Sequence, residues 1–241
     1  IMSTRDTDIL DTADLRYLLL ESLKLYSDNV EFLDGSNPYR FSINKKTFYI
    51  WIRNVHESGR GRPNEDECRI QVSRSNAFDQ AMSSGHDVIF LGYLADDRVF
   101  TAWNPYLMRE RINRIQNGSL YSRFSIQREA ARTKVSIYRD NDDQSIISFC
   151  PQYLGLYLEN LEKIHLLPLD QIKDLVRQSD AANDDETDSH MESVEGLLTI
   201  SHSRTKRDPL FRKIICEAYD YRCAMCGIQL DLIEAAHIVP H

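Results

Sequence analysis

The chain has 241 residues, 42% of them hydrophobic and 27% charged, and a formal net charge of −8. This is the composition of an ordinary globular protein, long enough for one large domain and one small one. No apolar run reaches the roughly eighteen residues a membrane span requires. The first twenty residues lack a basic stretch followed by an apolar one, so no secretion signal is read and the expected location is the cytoplasm. The five cysteines, Cys68, Cys150, Cys216, Cys223 and Cys226, are odd in number and lack a framework spacing. In a reducing compartment that points away from disulfides. An acidic total argues against a nucleic-acid partner, yet the acid is unevenly placed. Asp180, Asp184, Asp185, Glu186, Asp188, Glu192 and Glu195 crowd one stretch without Lys or Arg, and setting them aside leaves about −1. A basic face elsewhere is therefore not excluded.

In chain order, residues 11–33 (DTADLRYLLLESLKLYSDNVEFL) begin with a cap-like Asp or Thr and carry Leu15, Leu18, Leu19, Leu23 and Leu25 at roughly helical spacing. DGSNP at 34–38 breaks the helix. The run YRFSINKKTFYIWIRNV is aromatic, apolar and β-branched, typical of a strand. A polar Gly/Pro-bearing loop follows, then a short strand, CRIQVS, and a helical turn, AFDQAMSSG. HDVIFLGYL and RVFTAWN flank a short acidic turn and predict a hairpin. Residues 105–140 read as a helix, a turn at Asn117–Gly118, a short strand or helix and another strand. A further strand and an amphipathic helix close the block. The expected fold class is α+β: residues 1–175 form a mixed domain with an antiparallel sheet and flanking helices. Residues 176–197 make an acidic linker, and 198–241 start a second module.

That module contains TKRDPLFRKIICEAYDYRCAMCGIQLDLIEAAHIVPH. Asp208 is a helix cap and Pro209 suits the first helical position. Phe211, Ile214, Ile215 and Ala218 stripe the helix, leaving Cys216 to a core role. Cys223 and Cys226 form a CxxC knuckle whose thiolates can share one metal ion. LDLIEAAHIVP is a short strand that ends on His237.

A helix ending in Tyr, then CxxCG, then a strand closing on AAHIVP resembles the start of an HNH (ββα-metal) nuclease domain. The resemblance covers about residues 205–241. It implies phosphodiester hydrolysis with His237 as general base, a neutral imidazole being suited to deprotonate water near pH 7. It also implies a divalent cation, Mg²⁺ or similar, at the leaving group. Cys223 and Cys226 become half of a structural Zn²⁺ site. Two departures stand out. Ala236 occupies a position where the family often has a metal-ligating Asp or His. The family's Asn, last His and second cysteine pair do not occur before His241, so the module is expected to be partial and this chain not to cleave DNA by itself.

A nuclease module of this size makes few base-specific contacts, so the larger domain is expected to choose the target. Arg53, His56, Arg60 and Arg62 surround a polar loop whose Gly59 and Gly61 let backbone approach a phosphate. Arg69, Gln71, Arg74 and Asn76 follow, side chains able to read base edges. A third cue is the arginine-rich stretch from Arg109 to Lys134, with Tyr121 and Phe124 among the cations. Interleaved Glu110 and Glu129 equally suit a solvated, ion-paired face. Trp51 and Trp103 suit a cage for a flipped or modified base, although core packing is the commoner task. The reading is a restriction-type, metal-dependent endonuclease acting on double-stranded DNA, with a homodimer as a means of cutting both strands. The alternatives are a nuclease effector whose N-terminal domain senses a small ligand or protein partner, and a DNA-binding fragment without catalysis.

Overall fold

The computed structural model describes residues 9–58, 64–113 and 117–184. The chain opens with α1 (Thr12–Lys24), whose N-terminus is capped where the Asp11 carboxylate accepts from the Asp14 N–H at 2.8 Å. Strands β1 (Val30–Asp34), β2 (Tyr39–Ile43), β3 (Lys46–Asn54) and the two-residue β4 (His56–Glu57) follow. Next come β5 (Glu67–Ser73), α2 (Asn76–Ser83), β6 (Asp87–Leu94), β7 (Val99–Trp103) and α3 (Pro105–Asn113). The remainder is β8 (Asn117–Arg123), α4 (Phe124–Thr133), β9 (Val135–Arg139), β10 (Ser145–Phe149), a 3₁₀ turn at Pro151–Tyr153, α5 (Leu154–Glu159), α6 (Leu161–Ile164) and α7 (Leu169–Asp184). The α+β class is as expected. Among these residues no helix is long and apolar enough to cross a membrane.

Two sheets form. The larger has seven strands in the order β1-β2-β3-β6-β7-β10-β9, and the smaller has three, β4-β5-β8. All pairs are antiparallel except β3 with β6. That parallel pair makes the large sheet mixed, where an antiparallel sheet was expected. Between β3 and β6 the chain leaves through β4, β5 and α2, a crossover long enough to return it to the starting end.

Alternation along the central strands divides the core in two. Ile50, Ile52, Ile89, Leu91, Tyr93, Phe100, Ala102, Ile147 and Phe149 face α1 and the C-terminal helices. Trp51, Val88, Phe90, Leu94, Val99, Trp103 and Ile146 face the small sheet, α2, α3 and α4. Burial of both faces explains why β6 and β7 read as unbroken apolar runs. Each such large side chain contributes about 1.5–3 kcal/mol by leaving water.

Local readings change in three places. The helix expected over 11–33 stops at Lys24, and Val30–Asp34 is a strand paired with β2. The Ser27 hydroxyl accepts from the Asn29 N–H and donates to the Asn44 carboxamide, turning the chain there. The single strand read over 39–55 is a hairpin, because Asn44 and Lys45 both take positive φ (49° and 67°), the backbone of a tight two-residue turn. Asn117–Gly118 is not a turn: it pairs with Ser73 and Val72 as the first residues of β8. At the other end α7 continues past residue 175 to Asp184. Val176 is buried, and the Asp180 carboxylate accepts from Tyr153 Oη at 2.9 Å and pairs with Lys134.

Candidate nucleic-acid interface

The small sheet rests one face on the core and leaves the other open. On β5, Cys68, Ile70 and Val72 are buried, while Arg69, Gln71 and Ser73 point outward. Gly92 on β6 makes the close seating possible. A Cβ there would lie 2.8 Å from Val55 Cγ2 and 3.0 Å from Ile70 Cγ2. The Trp103 indole N–H donates to the Tyr121 carbonyl at 2.9 Å, tying β7 to β8. The Cys68 thiol is pushed up to about 12, chiefly by burial. Buried and protonated, the Cys68 thiol is inert at neutral pH.

Where β3 leaves the large sheet and β4 and β5 begin the small one, a groove of about 430 Å³ opens, lined by Arg53, Asn54, His56, Glu57, Arg69, Gln71 and Ser73. Four side chains singled out in the sequence, Arg53, His56, Arg69 and Gln71, thus share one concavity. Register explains it. His56 stands opposite Arg69 across β4–β5, Gln71 lies two residues further on the same face, and Arg53 is next to the last residue of β3. The Arg53 guanidinium lies over the Trp51 ring, 5.4 Å from its centroid. Arg69 Nη1 donates to Ser119 Oγ at 3.1 Å. Among the described residues neither arginine forms an ion pair, and Glu57 is the one carboxylate among the residues lining the groove.

Asn54 has a different task. Its carboxamide nitrogen donates to the Leu10 carbonyl at 2.8 Å and its oxygen accepts from the Leu10 N–H at 3.2 Å, which clamps the N-terminal segment. The loop between β4 and β5 is anchored at both ends. Ser58 N–H donates to the Glu67 carbonyl at 3.2 Å, and the Asp66 carboxylate accepts from the Ser125 N–H at 2.8 Å at the start of α4.

Other sequence candidates fall elsewhere. Arg74 does not line the groove: its Nε pairs with Asp79 at 2.6 Å. Asn76 is the exposed first residue of α2. Arg60 and Arg62 lie outside the described residues, as do His237, Cys223 and Cys226. Among the described residues no group of three or more His, Cys, Asp or Glu is placed to hold a metal ion.

The third cue disperses. Arg109 donates to the Met82 carbonyl, Arg123 packs 5.2 Å from the Tyr138 ring centroid, and Arg128 lies 5.8 Å from that of Phe124. Phe124, one of the two aromatics in the stretch, thus packs on an arginine within the chain. Trp51 and Trp103 are 2% and 3% exposed, which overturns the base-cage reading in favour of core. Sequence reading missed Ser73, Asn117 and Ser119 on the open face and Glu57 at the groove wall. The period-two pattern of NGSLYSR marks β8, but the Asn-Gly pair reads as a turn and masks it.

Residues 46–158 match the family model described as methylase-associated X1 (MTaX1), a domain associated with restriction-modification systems. The match runs from the start of β3 into α5 and contains every residue that lines the groove. No curated protein and no solved structure matches the chain.

Proposed function

We propose that this chain belongs to a restriction-type DNA endonuclease, in which the mixed α/β domain reads duplex DNA and an HNH module cuts it. The observation that carries the recognition half is the gathering of Arg53, His56, Arg69 and Gln71 in one groove, with neither arginine held in an ion pair among the described residues. The association of the matched domain with restriction-modification systems supports it. Arginine N–H groups suit phosphate oxygens and guanine edges, and a carboxamide suits adenine. The acidic net charge does not oppose this, because much of it lies in 180–195.

The catalytic half rests on the motif CAMCG…AAHIVPH. His237 would be the general base, and a divalent cation held near it would supply charge stabilisation at the leaving oxygen. Cys223 and Cys226 supply two thiolates of a zinc knuckle. Ala236 offers no side-chain ligand, so any catalytic metal would need its protein ligands from other positions.

Fluorescence anisotropy of the chain with labelled duplexes tests recognition. The expected result is binding that weakens with salt and with Arg53→Ala or Arg69→Ala. No binding to any duplex, modified or not, at low salt overturns it and favours a domain that senses a small ligand or protein. Plasmid cleavage with Mg²⁺ tests catalysis, in a protein that carries the motif's Asn, last His and second cysteine pair beyond His241. His237→Ala is expected to abolish cleavage, and full activity in that variant removes His237 from the mechanism.

A further inference from the structure

β5 and β8 pair over seven positions, from Glu67 opposite Arg123 to Ser73 opposite Asn117. With Cys68, Ile70, Val72 and Leu120 turned to the core, the outward face of this ribbon carries Arg69, Gln71 and Ser73 beside Asn117, Ser119 and Tyr121. All six are hydrogen-bonding side chains. Donors and acceptors are mixed: Arg69 only donates, Gln71 does both, and Glu57 at the groove wall only accepts. A phosphate track calls for donors and positive charge throughout. Base edges present alternating donors and acceptors, and a carboxylate there accepts from a cytosine amine.

The dimensions agree. Successive outward side chains on one strand stand about 6.8 Å apart, twice the roughly 3.4 Å that the duplex rises along its axis per nucleotide of one strand. A two-stranded ribbon is also of a width that the major groove admits. Arg69 is steadied across the ribbon by Ser119 at 3.1 Å and keeps its other N–H groups. Gln71, directly opposite Ser119, is exposed and makes no hydrogen bond among the described residues.

Resting on the DNA-reading role proposed above, we infer that the outward face of β5–β8 enters the major groove, where Gln71 is a specificity-determining residue. Its carboxamide reads an adenine edge, while Arg53, on the neighbouring sheet, holds a backbone phosphate.

The test is selection of bound duplexes from a random-sequence pool by the full chain and by the Gln71→Ala and Arg53→Ala variants. Affinities for the selected duplex and an unrelated one are then measured against salt. The native chain is expected to enrich a motif containing an A·T pair. Gln71→Ala should lose that preference and bind the selected duplex about 10- to 100-fold more weakly. Its unchanged affinity for the unrelated duplex shows that the variant is folded. Arg53→Ala should weaken both duplexes alike and reduce the salt slope by about 1. If the native chain enriches no motif, or if Gln71→Ala leaves the enriched motif intact, the assignment of Gln71 is wrong while DNA binding stands. If the native chain binds no duplex at low salt, the DNA-reading role fails and this inference fails with it.

Discussion

The seven-stranded sheet is covered on both faces, by α1 and the C-terminal helices on one side and by the small sheet with α2, α3 and α4 on the other. Among the described residues, the three-stranded sheet is covered on one face only. In the large sheet nearly every central side chain is committed to packing, and the buried hydroxyls of Thr101 and Ser148 satisfy each other at 2.9 Å. In the small sheet every second residue is released. Apart from Arg123, which packs on Tyr138, the outward side chains of β5 and β8 are left with their identities open to recognition. In the proposed reading, recognition belongs to the uncovered face, and the large sheet is the platform on which the groove is built.

The largest break in this comparison comes from the layer between the sheets. Phe90 is fully buried, with Phe78 at 6.2 Å between ring centroids. Phe90→Ala is expected to cost about 3–5 kcal/mol through lost burial and a cavity, read as a lower urea midpoint.

Next is the helical cover of the opposite face, which holds a buried titratable group. The His165 pKa is lowered to about 4 by burial, only partly offset by the hydrogen bond to Ser145. Nδ1 donates to the Ser145 carbonyl at 2.9 Å, so Nε2 accepts from Tyr157 Oη at 2.9 Å. The unfolded imidazole, near 6.5, binds its proton first as pH falls. The stability held above 6.5 is therefore lost between 6.5 and about 4, by about 3 kcal/mol. Urea midpoints across that window should fall more steeply in the native chain than in His165→Gln, and parallel slopes would refute the assignment.

Gly92 probes the joint itself. Gly92→Val pushes into Val55 and Ile70, and a destabilisation of about 1–3 kcal/mol is expected from overpacking. Duplex binding should weaken as well, since the small sheet is unseated; stable protein with unchanged binding would show that the joint does not set the groove.

Within the basic residues, Arg69→Ala should reduce duplex affinity about tenfold and flatten its salt dependence. Arg74→Ala, whose charge is already paired with Asp79, should change it about twofold or less. Equal losses would erase the distinction between groove and periphery. The smallest effect belongs to Arg139, paired with Asp143 at 3.0 Å on an exposed turn. Arg139→Ala should shift stability by no more than about 0.5 kcal/mol.

Much of this was legible from composition and periodicity. The apolar runs at 86–94 and 98–104 identify the central hairpin, the alternation in CRIQVS identifies β5, and Arg53, His56, Arg69 and Gln71 stand out as chemistry in search of a surface. The motif at 221–241 names a nuclease resemblance that no fold description of 9–184 replaces. These are local features: residue type, spacing and pattern carry them without reference to distant neighbours. What only the tertiary structure decided is which residues meet. Asn117–Gly118 enters a strand because Ser73 and Val72 offer it a pairing edge. Val30–Asp34 leaves the helical pattern because β2 offers another. Arg74 is neutralised by Asp79, five residues away, while Arg69, on the same strand as Gln71, is left facing a groove. Pairing and charge neutralisation depend on partners that register and packing bring together, so the same arginine-rich sequence resolves into a surface for recognition in one place and ordinary ion pairs in another.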